Sequence, residues 1–174
     1  MFFSGDDLGV FVVRTIKARI EQRTMPSTTW MMPSPTHWGH DENLVETPDR
    51  NYTVYDYEQL FKDMHFPTGW MMRQDTENLT REIRAPGVEV HCLHGSKLRT
   101  PGKFTYGKGK FPDYQPNVVW DDGDGTVNIR SLLACLKWRK EQKQKVYHKV
   151  FEGGEHMNLL STKEVIDYLD ALVT

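Results

Sequence analysis

The clearest pattern of hydrophobic and polar positions lies in the second half of the chain. Residues 88–92 alternate between apolar and polar side chains after a Pro-Gly pair, which is typical of a β-strand. A short apolar run at 118–120 predicts a second strand, and the segment Val146-Tyr147-His148-Lys149-Val150-Phe151 predicts a third. Apolar positions three and four residues apart predict two helices, one around Ile129, Leu132, Leu133 and Leu136 and one around Val165, Leu169 and Leu172. Residues 117–174 therefore predict a βαβ unit whose two strands are parallel neighbours.

The pattern is less regular before residue 88 and between the first two predicted strands. One helix is indicated by the apolar face of Tyr57, Leu60, Phe61 and Met64. The segments Trp30-Met31-Met32 and Trp70-Met71-Met72 are suited either to core packing or to contact with lipid, and the sequence leaves both open. Residues 95–116 are rich in Gly, Pro and Lys, which predicts a long loop.

Composition narrows the class of protein. A chain of 174 residues with 38% hydrophobic and 26% charged residues predicts one folded domain or a large part of one. The net charge of -2 argues against a general nucleic-acid binder or a polybasic membrane binder. No run of 18 apolar residues is present, so we expect no transmembrane helix. The first residues, Met1 to Asp7, have no basic and apolar regions of the kind that form a signal peptide.

The cysteines and two glycosylation sequons indicate where in the cell the protein is processed. Two cysteines, Cys92 and Cys135, exclude a four-cysteine zinc site and leave either one structural disulfide or two free thiols. Asn51-Tyr52-Thr53 and Asn78-Leu79-Thr80 are possible acceptors of N-linked glycans. Together with the paired cysteines, they favour a disulfide and a secretory or lysosomal route.

Candidate chemistry lies where two of the predicted strands end. Asp124 follows the strand at 118–120, and His156 follows the strand at 146–151. Because the carboxyl ends of neighbouring parallel strands meet at one edge of a sheet, we expect the two side chains to lie close together. A carboxylate that holds one imidazole nitrogen leaves the other nitrogen facing a nucleophile. The chain order Asp then His is that of the last two members of the Ser–Asp–His triad in α/β-hydrolases.

The same residues also have structural interpretations. The run Asp-Gly-Asp-Gly at 122–125 is also typical of a tight turn, and a lone histidine such as His156 is often structural. A calcium loop is excluded by register, because Trp120 and Ser131 would occupy its first and last ligand positions. We expect no metal at His91 and Cys92, because a strand points neighbouring side chains to opposite faces.

Several segments in one order are similar to the lecithin:cholesterol acyltransferase family, and within it to the lysosomal phospholipase A branch. They are Asn51-Tyr52-Thr53, Gly69 to Glu77, Pro86-Gly87-Val88, Cys92 to Gly95, Asp122 to Val127 and Glu155-His156. The resemblance implies an α/β fold, with this chain as the C-terminal part of an α/β-hydrolase. Residues 1–28 would be a lid segment, 29–85 a cap segment, and 86–174 part of the hydrolase core.

The resemblance also assigns roles to residues. Asp124 and His156 are similar to the acid and base of the family's catalytic triad, and Cys92 with Cys135 to one of its disulfides. Asn51 resembles a family glycosylation site. Gly5, Asp6 and Asp7 resemble the start of the lid, although Asp7 stands where the family has Asn. The family's nucleophile is a serine on a sharp elbow, and this chain has no Gly-x-Ser-x-Gly motif of that kind.

The function that this resemblance implies is phospholipase A or O-acyltransferase activity. The expected partners are a phospholipid substrate and a water or lipid-alcohol acceptor, with a membrane or lipoprotein surface bound through a part upstream of this chain. No cofactor, metal or nucleic acid is implied, and the implied localisation is lysosomal or secreted. We expect the chain to be inactive alone. The alternatives are a truncated, non-catalytic lipid-binding or interaction fragment and a generic thioesterase-like hydrolase.

Overall fold

A computed structural model describes residues 15–79 and 83–173 of the chain. The chain divides into two compact units. The first comprises residues 1–83 and 103–119, and the second comprises residues 84–102 and 120–174. Residues 1–14, which include the predicted start of the lid, lie outside the described part.

Short helices and two-residue strands build the first unit. Its helices are α1 (Thr15–Gln22), α2 (Pro26–Trp30), α3 (Tyr57–Asp63) and α4 (Pro67–Thr76), followed by a 3₁₀ turn at Glu77–Leu79. Its strands β1 (Val45–Glu46) and β2 (Asn51–Tyr52) are antiparallel. The predicted helix at Tyr57 is confirmed, and its four apolar residues are buried.

The core of the first unit is aromatic and aliphatic. It is formed by Met32, Trp38, Leu44, Val45, Tyr52, Val54, Tyr57, Leu60, Phe61, Met64 and Tyr106. Arg73 on α4 is buried, and its Nη1 donates to the carbonyl oxygen of Thr29 at 2.9 Å. Its guanidinium also lies over the Tyr57 ring. A buried cation is therefore stabilised by backbone carbonyls and a ring face.

The second unit contains a parallel strand pair with helices. Strands β3 (Val90–Ser96) and β6 (Val146–Glu152) pair in parallel over seven positions, from Val90 opposite Val146 to Ser96 opposite Glu152. Between them in sequence lie β4 (Leu98–Thr105), β5 (Asn117–Gly123), α5 (Ile129–Leu132), a 3₁₀ turn (Ala134–Lys137) and α6 (Trp138–Glu141). A 3₁₀ turn at Leu159–Ser161 precedes α7 (Lys163–Val173). Strands and helices in these proportions confirm the predicted α/β class.

Three predictions about this region are wrong. Residues 95–116 are not one loop, because they contain β4, which lies between β1 and β5 in a sheet of order β2-β1-β4-β5. Strand β5 is not the neighbour of β6, because β6 pairs with β3 in a separate two-stranded sheet. The helix predicted around Ile129 to Leu136 is broken into α5 and the 3₁₀ turn that follows it.

Among the described residues, no helix combines the length and the apolar character that crossing a bilayer requires.

Candidate active site

The structure brings Asp124 and His156 into direct contact. Asp124 Oδ2 lies 2.8 Å from His156 Nδ1, within hydrogen-bonding distance. The main chain joins the same two residues, because the amide of His156 donates to the carbonyl oxygen of Asp124 at 3.0 Å. Asp124 is 2% exposed, whereas the His156 side chain is 40% exposed. A buried carboxylate therefore holds a histidine that remains accessible.

The Asp124 carboxylate also closes its own turn. Its Oδ1 accepts the amides of Thr126 at 3.0 Å and Val127 at 2.7 Å. The Asp124 amide donates back to the carbonyl oxygen of Val127 at 3.2 Å. The tight-turn interpretation of this run is therefore correct, and it is compatible with the site, because Oδ1 closes the turn while Oδ2 contacts His156.

Electrostatics keep this carboxylate charged. Burial alone would raise the pKa of Asp124, because it penalises the charged form. The hydrogen bonds from the Val127 amide, His156 and the Thr126 amide outweigh burial and hold the pKa of Asp124 below its ordinary value of 3.8. At neutral and mildly acidic pH, the group facing His156 Nδ1 is therefore an acceptor. The imidazole must present its N–H there, which leaves Nε2 as the free nitrogen.

Close backbone approach requires two glycines beside the site. A Cβ built on Gly95, at the end of β3, would collide with the carbonyl oxygen of Gly154 and lie 3.1 Å from Cβ of Asp124. A Cβ on Gly154 would lie 2.7 Å from a methyl carbon of Leu159. Gly154 is two residues before His156, so the approach of these backbones fixes how the two loops meet.

Two further histidines, His94 on β3 and His148 on β6, contact each other and are separate from the Asp124–His156 contact. His94 is buried, and its Nε2 lies 2.8 Å from Nε2 of His148. His94 Nδ1 lies 2.7 Å from the carbonyl oxygen of Gly95, so Nδ1 carries the proton and His148 donates to His94. Burial, followed by repulsion from His94 and Arg139, lowers the pKa of His148 below 6.5. In the described part of the chain, no group of three or more His, Cys, Asp or Glu residues is arranged to hold a metal.

Comparison with known proteins identifies the family of the chain. The family model described as lecithin:cholesterol acyltransferase matches residues 1–163. This chain belongs to the lecithin:cholesterol acyltransferase family. It is 42% identical over 166 residues to the lysosomal phospholipase A and acyltransferase of Mus musculus, covering 95% of this chain and 40% of that protein. The phosphatidylcholine-sterol acyltransferase of Homo sapiens is 37% identical over 171 residues, covering 98% of this chain and 39% of that protein.

The alignments also show how much of each relative this chain covers. The chain spans about two fifths of the length of the curated relatives it matches. The lysosomal phospholipase A and acyltransferase of Homo sapiens is 40% identical over 166 residues, covering 95% of this chain and 40% of that protein. The resemblance expected from the sequence motifs is therefore confirmed at the level of the family.

The other residues that the family resemblance singled out have distinct positions. Cys92 on β3 and Cys135 form a disulfide with their Cα atoms 6.5 Å apart. Asn51 and Asn78 are both exposed, although Thr80 of the second sequon lies outside the described residues. The predicted lid residues Gly5, Asp6 and Asp7 also lie outside them.

The two Trp-Met-Met segments are divided between the core and the surface. Met32 belongs to the core, and Trp70 packs against it. Met31 and Met71 are 71% and 63% exposed. Each segment therefore has one residue facing the core and one methionine facing solvent.

Sequence reasoning missed the groups that hold the Asp124 carboxylate. The Thr126 and Val127 amides lie two and three residues after Asp124, which is the pattern of an Asx turn. The Asp-Gly-Asp-Gly run carried that signal. The close approach at Gly95 and Gly154 had no signal in a single sequence, because it joins two strand ends far apart in the chain.

Proposed function

We propose that this chain supplies the acid and base of a Ser–Asp–His triad in an enzyme that cleaves or transfers acyl groups of phospholipids. The observation that carries the proposal is the 2.8 Å contact between buried Asp124 and accessible His156 in a chain of this family. A charged carboxylate at Nδ1 leaves Nε2 of His156 to act as a general base. Among the described residues, Nε2 of His156 has no hydrogen-bond partner.

The first half of the reaction forms an acyl-enzyme. A serine outside these 174 residues would attack the sn-1 or sn-2 ester carbonyl, and His156 Nε2 would take the serine proton. Asp124 would stabilise the resulting imidazolium through Oδ2. Collapse of the tetrahedral intermediate would break the ester bond, and His156 would give its proton to the departing lysophospholipid alkoxide.

The second half regenerates the enzyme. Water or a lipid alcohol would attack the acyl-serine ester, and His156 would remove the proton of that acceptor. The proton would return to the serine oxygen as the fatty acid or the new ester departs. No group besides the triad and its oxyanion donors is needed to balance these steps.

The arrangement of the chain is part of the proposal. Residues 86–174 would belong to the C-terminal portion of an α/β-hydrolase core, 29–85 to a cap, and 1–28 to a lid that begins at Gly5-Asp6-Asp7. The disulfide of the second unit and the exposure of Asn51 and Asn78 support a glycosylated protein in the lysosome or outside the cell. A membrane or lipoprotein surface would then present the substrate.

A chimera tests the function directly. This chain would replace the matched region of the mouse lysosomal phospholipase A and acyltransferase, which keeps the rest of that relative. Phosphatidylcholine vesicles, with and without ceramide as acceptor, would report release of fatty acid and transfer of the acyl group. We expect both activities from the chimera and neither from the 174-residue chain alone, because the chain has no serine elbow.

Matched variants make the result interpretable. His156→Ala should abolish both activities, whereas His40→Ala, which changes an exposed histidine of the first unit, should leave them unchanged. Activity of the His156→Ala chimera within tenfold of its parent (about 1.4 kcal/mol of barrier) would contradict the assigned base. Activity of the chain alone that survives His156→Ala would contradict the triad as a whole.

A second candidate is non-catalytic lipid binding. It is favoured by the exposed Met31 and Met71 and by Trp30, which is also exposed. Sedimentation of the chain with phosphatidylcholine vesicles, compared with a Met31→Gln/Met71→Gln variant, tests it. Binding that the variant loses, together with an inactive chimera, would favour this candidate over the enzyme.

A further inference from the structure

Thr100 on β4 is a buried polar residue that the proposed reaction does not use. It is 0% exposed, and its Oγ1 has a partner on either side. Oγ1 accepts the amide of Gly125 at 2.9 Å and donates to the carbonyl oxygen of Leu98 at 3.0 Å. A threonine hydroxyl has one proton, so its donor goes to Leu98 and a lone pair receives Gly125. One of its two hydrogen bonds therefore holds Gly125, the residue that follows Asp124.

Thr100 also contacts the residue that precedes Asp124. A Cβ built on Gly123 would lie 2.5 Å from Oγ1 and 3.0 Å from Cβ of Thr100. The backbone at Gly123 therefore rests directly on the threonine side chain. Gly125, on the other side, has φ of +91°, a conformation that favours glycine. One side chain thus contacts both neighbours of Asp124 at positions where the backbone requires glycine.

The strand beside the site reinforces this arrangement. Leu98, the acceptor of the Thr100 hydroxyl, forms an isolated parallel bridge with Asp124 itself. Asn128, at the end of the same turn, donates through Nδ2 to the carbonyl oxygen of Pro101 at 3.1 Å. The start of β4 therefore contacts the Asp124 turn at its beginning, middle and end.

We propose that Thr100 is a positioning residue that sets the direction of the Asp124 carboxylate toward His156, an inference that rests on the proposed function for its catalytic consequence. The Asp124 side chain has its direction fixed by amides of its own turn, so movement of that turn moves Oδ2. Loss of the hydroxyl would remove the Thr100 partner of the Gly125 amide and of the Leu98 carbonyl, both of which are partly buried. The turn would then shift, and the Oδ2 to Nδ1 bond would lengthen.

Two substitutions separate the hydroxyl from the packing. Thr100→Val keeps the shape and removes the hydroxyl, whereas Thr100→Ser keeps the hydroxyl and removes a methyl group. A positioning role through hydrogen bonds predicts that the serine variant behaves like the parent and that the valine variant does not. A role in packing alone predicts the reverse order.

The first measurement needs no activity. Nitrogen-15 NMR of the histidine rings in the 174-residue chain reports which nitrogen of His156 carries the proton. We expect the parent and Thr100→Ser to show one Nδ1–H tautomer, and Thr100→Val to show a second population with the proton on Nε2. An unchanged His156 spectrum in Thr100→Val, with native amide signals elsewhere, would overturn the proposal.

A measurement on the unmutated chain covers the case in which the valine variant does not fold. If Thr100 and the turn form one unit, the Gly125 amide should be as protected from hydrogen exchange as the Val127 amide, which donates to Asp124. Free exchange at Gly125 beside a protected Val127 would overturn the proposal.

The second arm uses the chimera. A misdirected acid should lower kcat by about 100-fold in Thr100→Val with little change in KM, since displacements near 1 Å have that effect, while Thr100→Ser should stay close to the parent. Equal kcat in all three would overturn the proposal. If the parent chimera is itself inactive, the proposed function fails, while the NMR and exchange results still decide the role of Thr100.

Discussion

Replacing Asp124 with Asn reverses the hydrogen bond to His156 with almost no change in shape. The Asn oxygen would keep the position of Oδ1, because the Thr126 and Val127 amides require an acceptor there. The NH₂ group would then occupy the position of Oδ2, 2.8 Å from His156 Nδ1. Two donors cannot share that contact, so the imidazole would carry its proton on Nε2, the nitrogen that accepts the serine proton in the proposed reaction. Such a tautomer change lowers kcat by about 10⁴-fold in triad enzymes.

The assay is release of fatty acid from phosphatidylcholine vesicles by the chimera, with kcat and KM measured separately. Asp122→Asn is a matched control two residues away, because its Oδ1 accepts the Lys97 amide at 2.7 Å and an Asn oxygen does the same. We expect Asp122→Asn to behave like the parent. A kcat for Asp124→Asn within tenfold of the parent would refute the reasoning, since the acid would then have no role in setting the tautomer.

Three further predictions concern stability. Because burial and His94 lower the pKa of His148, the unfolded chain takes up a proton more readily. The free energy of unfolding should fall as pH drops below about 6.5 in the parent and fall less in His148→Gln; parallel urea titrations would contradict this. Gly95→Ala should destabilise the protein by about 1–3 kcal/mol through collision with Gly154, whereas Gly107→Ala should not; equal urea midpoints would contradict this. Replacing both half-cystines, 43 positions apart, with serine should cost about 4 kcal/mol in the chain-entropy model, and a cost below about 1 kcal/mol would contradict the loop estimate.

Local patterns were sufficient for elements whose signal lies within one segment. The alternation before Cys92 predicted β3, and the apolar face that includes Leu60 predicted α3, because each element buries one face along its own length. The contact between Asp124 and His156 was also predicted, although the prediction wrongly made β5 and β6 neighbouring strands. Both loops do end near each other, but β6 reaches that edge by pairing with β3 rather than with β5.

Pairing between distant segments could not be predicted from local pattern. Strand β4 contains Pro101 and Gly102, which are unfavourable in strands and produced the loop prediction. It forms because it has β1 and β5 as neighbours, which is a property of the assembled sheet. The pairing of β3 with β6 likewise joins seven pairs of residues, and the two members of each pair are more than fifty residues apart in the sequence. Thr100 was missed for the same reason, since its role depends on a turn 25 residues later.

Asp124 and His156 are oriented by contacts within the second unit, without any contribution from a nucleophile. Every hydrogen bond found on the Asp124 carboxylate comes from within the second unit, from two amides of its turn and from His156. These hydrogen bonds form when the second unit folds. The imidazole is therefore oriented before a serine or a substrate arrives. A nucleophile brought to Nε2 would meet a base whose tautomer is set, which is the condition for general-base catalysis by a triad. In the proposed reaction, these residues would therefore present an oriented acid and base before the nucleophile reaches Nε2.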